Sequence, residues 1–265
     1  MNDSILAALS PEYPWKAHFR FFPELDSTND ELKRLARQGA PHGTVLIADR
    51  QTGGHGRMGR SFLSPGGVGV YLSILLRPDC APTELMHLTC ATAAAMCDAL
   101  EAATGLRPGI KWTNDLVWGK RKLGGILTEL GLSPQGRVDY AIIGIGINCC
   151  QQESDFAPEI RDMAGSLAMA TGTPIDRSRV AAAMMEALWQ MSRQLLTEKQ
   201  AILTRYRRDC VTLGREISVL RGDTVRHGTA MDVDTDGALV VAYPDGTTEA
   251  VNSGEVSIRG MYGYV

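Results

Sequence analysis

Apolar and polar positions recur along this chain with two periods, and the switches between them lay out most of its elements. Ser27-Thr28-Asn29-Asp30-Glu31 opens a helix: Thr28 and Glu31 have capping-box spacing, and Leu32, Leu35 and Ala36 form an apolar stripe at helical period. Gly39 ends it. The apolar run over 45–48 predicts a short strand, and 68–76 predicts another. Between them lies Gln51-Thr52-Gly53-Gly54-His55-Gly56-Arg57-Met58-Gly59-Arg60, too rich in glycine for a helix or a regular strand. A long helix is expected over 84–104 through Leu85, Leu88, Ala95, Met96 and Ala99, stopped by Gly105.

Strand-like pieces follow at 110–112, 116–118, 125–130 and 138–147. Asn114-Asp115, Gly119-Lys120 and the turn at 133–136 space them too closely for parallel crossovers, so they predict hairpins. A helical region over 176–210 carries Met184, Leu188, Met191, Leu195, Ile202 and Tyr206, with a break near Thr197. The last fifty residues change character. Short runs at 216–220, 225–231, 239–243 and 249–251, separated by Arg221-Gly222-Asp223, Asp236-Gly237 and Pro244-Asp245-Gly246, predict a small all-β barrel and a domain boundary near Leu213-Gly214. No internal repeat or low-complexity segment is present.

Composition narrows the function classes. At 265 residues the chain can build one large domain, or one large and one small. Its 44% hydrophobic and 22% charged residues are ordinary globular usage, which excludes disorder and fibrous repeats. A net charge of −3 provides no global field for DNA or anionic membranes, so a nucleic-acid role would need a local patch. The longest uncharged runs, 88–97 and 140–150, fall short of the roughly 18–20 apolar residues that span a bilayer. The N-terminus has neither the basic nor the apolar region of a signal peptide. Six cysteines without a CxxC pair read as reduced core thiols, which predicts a cytoplasmic protein.

Two stretches could carry chemistry. In the glycine-rich stretch, Gly53, Gly54, Gly56 and Gly59 beside His55, Arg57 and Arg60 offer backbone N–H groups and guanidinium forks suited to a phosphate or a phosphate–carboxylate mixed anhydride. A flexible surface loop with incidental arginines has the same composition. It is neither a Walker A motif nor a dinucleotide fingerprint, and Gly144-x-Gly146 lacks the third glycine. The second stretch is Lys111-Trp112-Thr113-Asn114-Asp115-Leu116, followed by Arg121-Lys122-Leu123-Gly124-Gly125-Ile126-Leu127. Two lysines converging across a tight turn beside a carboxylate suit phosphoryl or nucleotidyl transfer, and Gly124-Gly125 suit close approach of a ligand to backbone. A solvated hairpin end with ordinary lysines is the alternative. The scattered histidines have no zinc spacing, no G-x-S-x-G elbow exists, and Met184, Met185, Leu188 and Met191 read as core.

Taken together, these stretches resemble the biotin protein ligases. Asp26-Ser27-Thr28-Asn29, Gln51-x-x-Gly54-x-Gly56-Arg57-x-Gly59-Arg60, Lys111-Trp112-x-Asn114-Asp115-Leu116, Arg121-Lys122-Leu123-x-Gly125-Ile126-Leu127 and Gly144-x-Gly146-Ile147-Asn148 follow the family's order and approximate spacing. The similarity runs from about Phe19 to the C-terminus, where Gly254-Glu255-Val256-Ser257-Ile258 resembles the end of the family's SH3-like domain. The resemblance implies an α/β fold of α+β type: a mixed sheet with helices forming the catalytic domain, plus a small C-terminal SH3-like β-barrel. The expected division is an N-terminal extension over 1–18, a biotin- and ATP-binding catalytic domain over 19–213, and the SH3-like domain over 214–265.

It also implies a two-step reaction. Biotin and MgATP give biotinyl-5′-AMP, and a specific lysine of a biotin carboxyl carrier protein or domain of a biotin-dependent carboxylase then accepts the biotin. By resemblance, Ser27, Thr28, Asn29, Gln51, His55, Gly56, Arg57, Lys122, Gly124 and Gly125 would bind biotin. Arg57, Arg60, Phe62, Lys111, Asn114 and Asn148 would bind ATP or the adenylate, and Asp115 would meet Mg²⁺. Arg57, Lys122 and Lys111 would be the catalytic set, acting by positioning and charge stabilisation without an enzyme nucleophile. The 214–265 segment would serve carrier docking, since every adenylation residue precedes Cys149.

His55 stands where the family's commonest loop has arginine, and Thr113 where proline is frequent. The eighteen residues before the catalytic region leave no room for the helix-turn-helix of the family's repressor members, so no DNA binding is expected, and the protein is expected as a monomer or homodimer. Two alternatives are a lipoate or octanoyl ligase of the same fold, and a nucleic-acid-binding protein using the Gly-Arg loop.

Overall fold

The computed structural model describes residues 1–221, 223–252 and 255–258, the last four by backbone. Strands β1 (Phe19–Leu25), β2 (Thr44–Gln51), β3 (Gly69–Leu76), β4 (Gly109–Lys111), β5 (Asp115–Trp118), β6 (Arg121–Leu132) and β7 (Val138–Asn148) form one sheet in the order β1-β2-β3-β7-β6-β5-β4. The four strands from β4 onward pair antiparallel in succession, as their short turns require. Only β1 and β2 are parallel. The crossover that parallel pairing needs is α2 (Thr28–Arg37), capped by Ser27, whose hydroxyl accepts from Asp30 N–H. Thr28 is therefore the first helical residue, and its hydroxyl is available for other work.

Period-2 alternation splits the sheet between two cores. Leu46, Leu75, Tyr140 and Ile142 face Leu32 and Ala36 of α2. Their neighbours Val45, Ile47, Ile74, Ile143 and Ile145 face the opposite layer, with α3 (Leu88–Thr104), α5 (Arg177–Gln194) and α6 (Lys199–Asp209). β3 is buried along its whole length because helices cover both faces. The helix expected over 84–104 begins only at Leu88: Pro82–Leu85 is a separate 3-10 turn in which Glu84 accepts from Ala81 N–H. β6 is longer than its apolar run, because Gly124 and Gly125 fit into the ladder opposite Ile147 and Gly146. Among the α-helices and strands, the sequence pattern missed β1, α1 (Asn2–Ala8), α4 (Leu167–Thr171) and β12 (Glu255–Ile258). The first eighteen residues are part of the main core, through Ile5, Leu9, Tyr13 and Trp15.

The C-terminal domain is a small antiparallel sheet of β8 (Glu216–Arg221), β9 (Thr224–Val233), β10 (Leu239–Ala242), β11 (Thr248–Val251) and β12, in the order β11-β10-β9-β8-β12. The turn between β9 and β10 docks on the catalytic domain. Trp112 Nε1 donates to the Gly237 carbonyl at 3.0 Å, Lys199 pairs with Asp236 at 2.8 Å, and Arg207 holds Asp232 at 2.8 Å. Among the described residues, no helix is long and apolar enough to cross a membrane.

Candidate active site

A cavity of about 210 Å³ opens where α2, the ends of β2 and β4, the starts of β5 and β6, and the middle of β7 converge. One wall is neutral. Thr28 donates to Gln51 Oε1 from its backbone N–H at 2.8 Å, and its hydroxyl lies 2.9 Å from the same oxygen. Gln51 Nε2 in turn donates to Ser64 Oγ. Asn29 Nδ2 donates to Glu129 Oε2 at 2.8 Å, and its Oδ1 accepts from Ser73 Oγ at 2.6 Å. This side chain fits only because residue 144 is glycine: a Cβ there would lie 2.1 Å from Asn29 Oδ1. Gly146 does the same for Phe62, whose ring edge would be 2.4 Å from a Cβ. The pair that failed as a nucleotide fingerprint is a strand planed down to admit two side chains.

The other wall is cationic. Arg57, Arg60, Lys111 and Lys122 line it against a single carboxylate, Asp115. Lys122 Nζ lies 2.6 Å from Asp115 Oδ1. Arg57 donates to Asn114 Oδ1 at 3.1 Å, while Asn114 Nδ2 donates to the Ile126 carbonyl. Burial pushes the Lys111 ammonium down to about 8, against the pull of Asp115 and with help from Lys122 and Arg60. Burial also lowers the Arg57 guanidinium. Four cations beside one acid, Lys111 and Arg57 among them partly out of water, make a site for a multiply charged anion.

Ser27, Thr28, Asn29, Gln51, His55, Gly56, Arg57, Arg60, Phe62, Lys111, Asn114, Asp115, Lys122 and Gly125 all reach this cavity. Gly124 and Asn148 are not among its lining residues. Gly124 packs on β7, where a Cβ would lie 2.4 Å from the Gly146 carbonyl. Asn148 donates its amide to the Gly165 carbonyl at 2.9 Å and accepts from Gln151 at 3.1 Å, which braces the segment that follows β7. His55 Nδ1 lies 3.2 Å from the Gly53 carbonyl and 3.8 Å from Asp30 Oδ2, turned toward its own loop and α2. Asp115 is engaged by Lys122, and among the described residues no group of three or more His, Cys, Asp or Glu could hold a metal ion.

Sequence reasoning missed Ser73, Glu129 and Leu220. Ser73 is fully buried behind the neutral wall. The available signal was a lone serine in an otherwise hydrophobic strand, and Glu129 is the matching acid in β6. Leu220, on β8, brings the C-terminal domain into the pocket lining, which the expected division of labour did not foresee.

Comparison with known proteins places the chain in a family. Residues 21–148 match the biotin/lipoate A/B protein ligase family, and residues 212–259 match the biotin protein ligase C-terminal domain. The chain is 35% identical over 230 residues to the bifunctional ligase/repressor BirA of Bacillus subtilis, covering 86% of this chain and 70% of the relative. It is 30% identical to the biotin–[acetyl-CoA-carboxylase] ligase of Paracoccus denitrificans, covering 89% of this chain and 98% of that one. Its fold resembles the Aquifex aeolicus biotin protein ligase in complex with biotin and ATP, with a TM-score of 0.76 and 32% identity over 91% of this chain and 98% of that one. With two domains in the family's order and the cleft they enclose, the chain belongs to the biotin protein ligases.

Proposed function

We propose that this protein activates biotin with ATP and transfers it to a lysine of a biotin carboxyl carrier domain. The observation that carries this reading is the continuity of one neutral, hydrogen-bonded cleft with one cationic wall, a layout suited to a ligand that is uncharged at one end and a carboxylate beside a phosphate at the other. Ser27, Thr28, Asn29 and Gln51, with the backbone at Gly56 and Gly125, receive the ureido and ring end of biotin. Arg57 and Lys122 meet the carboxylate and the α-phosphate. Lys111, Asn114 and Arg60 serve the remaining phosphates, and Phe62 packs against adenine.

In the first step a biotin carboxylate oxygen attacks the α-phosphorus, and pyrophosphate leaves with the electrons of the broken P–O bond. The anhydride that forms is reactive toward amines and water alike. Folding of the 53–62 segment over it favours the amine by excluding water. In the second step the carrier lysine's neutral amine attacks the acyl carbon, AMP leaves, and the nitrogen loses a proton to give the amide. The positive wall acts by stabilising charge that gathers on the phosphate oxygens, without forming a bond to either substrate. Magnesium enters with the nucleotide, as substrate MgATP.

The match at 212–259 to a biotin protein ligase domain favours biotin over lipoate. The proposed division is a catalytic domain over 19–213 and a C-terminal domain from 214. Six unpaired cysteines suit a reducing compartment, so the cytoplasm is the proposed location. Mass spectrometry of a carrier domain incubated with this protein, ATP and biotin tests the reading. The expected product is a carrier heavier by one biotinyl group at one lysine; modification by lipoate, or no modification, would overturn it.

A further inference from the structure

Neither strand beside β6 fixes the backbone of Lys122. On the β5 side Val117 pairs with Lys122 and Leu116 with Gly124, so Leu123 is left over in a bulge and the ladder is locally loosened. On the β7 side the pairing begins only at Gly124, opposite Ile147. A strap takes over where β7 stops. Lys122 N–H donates to the Met163 carbonyl at 2.7 Å, and Gly165 N–H donates to the Lys122 carbonyl at 2.9 Å. Ala164 thereby lies beside Lys122 in a parallel bridge, and both main-chain groups of Lys122 bond to this segment.

The strap is itself tied down. Asn148 Nδ2 donates to the Gly165 carbonyl at 2.9 Å, and Ser166 Oγ donates to the Gln151 carbonyl at 2.6 Å while capping α4. Arg121 reaches over it to the carbonyls of Arg161 and Ala164, each at 3.4 Å. Successive side chains of a strand leave on opposite faces, so Arg121 lies on the strap and Lys122 turns into the cleft, with Nζ 2.6 Å from Asp115. Gly165 sits at the point of closest approach. A Cβ there would lie 2.9 Å from Arg121 Cβ, nearer than two such carbons pack. Gly165 has no positive φ, so its missing side chain serves the approach of the strap to β6 and not a turn.

We propose that Gly165 is a positioning residue for adenylation: by letting the strap close on Arg121, it holds Lys122 in the register that sets its ammonium against the carboxylate and the α-phosphate. The inference rests on the biotin reading above and on the place of Lys122 in it. A methyl at 165 must push the strap away from Arg121, and the displacement reaches Lys122 through the bonds to its own backbone. Charge stabilisation depends steeply on such placement, since a shift of about 1 Å can cost up to about a hundredfold in rate.

The test is a double-mutant cycle on pyrophosphate release with biotin and ATP, followed in single turnovers with enzyme in excess so that slow variants stay measurable. Gly165→Ala is expected to slow release about tenfold in otherwise wild-type protein, with KM for biotin within about twofold, and to change the rate less than about twofold in a Lys122→Ala background. Arg121→Gly removes the carbon in the way, so adding Gly165→Ala to it should cost less than about threefold. A merely structural role would give the same fractional loss in every background. Arg121→Ala loosens the strap without crowding it, at a side chain 32% exposed, and decides the question if Gly165→Ala does not fold. It should slow release about three- to fivefold, again with no further loss in Lys122→Ala. Losses that persist undiminished in Lys122→Ala, or wild-type rates in Gly165→Ala or in Arg121→Ala, overturn the inference and leave the biotin reading standing. Wild-type protein that releases no pyrophosphate with biotin overturns that reading, and this inference with it.

Discussion

The two walls of the pocket are built on opposite physical terms. On the neutral wall Thr28, Asn29 and Gln51 are tied to neighbours in α2, β2, β3 and β6 through short hydrogen bonds, so recognition there is a matter of geometry. On the cationic wall Lys111 and Arg57 are held partly out of water with one carboxylate to share, so the empty site carries a desolvation cost that an anion relieves. The first arrangement binds a ground state. The second gains most where negative charge builds up, in the transition state. Changes to the neutral wall should therefore act on KM for biotin, and changes to the cationic wall on kcat or on the nucleotide.

The largest effect is expected at Lys122. Its ammonium, 2.6 Å from Asp115, is the cation we assign to the meeting point of carboxylate and α-phosphate. Losing such a contact typically costs about 3–4 kcal/mol, so Lys122→Ala should slow pyrophosphate release by roughly a hundred- to a thousandfold. A rate within tenfold of wild type would remove Lys122 from the catalytic set.

The two glycines of β7 sharpen the comparison, because they serve opposite walls from the same strand. Gly144→Ala drives a methyl into Asn29, and Gly146→Ala drives one into Phe62. Overpacking costs of about 1–3 kcal/mol translate to roughly five- to a hundredfold in affinity. Calorimetric titration should show biotin affinity falling in Gly144→Ala and ATP affinity falling in Gly146→Ala. Equal losses of both ligands in both variants would mean that the walls are not separate.

How much of this was legible in the sequence depends on distance along the chain. The hairpins from β4 to β7 were readable because turn chemistry is local, and the 51–60 and 111–125 stretches announced themselves by glycine and charge. The parallel pairing of β1 with β2 was not, since it forms only after α2 packs across it. α1 has no side-chain cap and is held by Ile5 in the main core, a stabilisation that propensity cannot reveal. Ser73 meets Thr28 across 45 positions.

Lys111 separates the walls by pH. Its folded-state value of about 8 lies below that of an ordinary lysine, so the ammonium is charged below pH 8 and is lost as pH rises through that value. An anionic ligand favours the charged form. KM for ATP should accordingly stay flat below pH 8 and rise above it, by up to about tenfold at pH 9, while biotin affinity measured without nucleotide stays level. In Lys111→Arg the guanidinium keeps its charge across the range and the rise should vanish. Parallel ATP profiles for the two proteins would place the titration elsewhere.

The smallest effect concerns how the C-terminal domain reaches the cationic wall. Trp112 follows Lys111 directly, is 5% exposed, and donates its indole N–H to the Gly237 carbonyl, while its backbone N–H goes to Thr212 Oγ1. Two anchors therefore hold the residue next to Lys111, one of them from the turn between β9 and β10. Leu220 completes the pocket lining from β8. We expect a C-terminal domain so attached to bear on adenylation as well as on carrier docking. Trp112→Phe deletes the donor, keeps most of the ring, and leaves the Gly237 carbonyl short of a partner, a loss of about 1 kcal/mol or roughly fivefold. That loss should appear as a higher KM for ATP in pyrophosphate release measured without any carrier domain, with KM for biotin unchanged. Normal adenylation combined with slower transfer to the carrier would confine the C-terminal domain to docking, as the order of motifs along the chain had suggested.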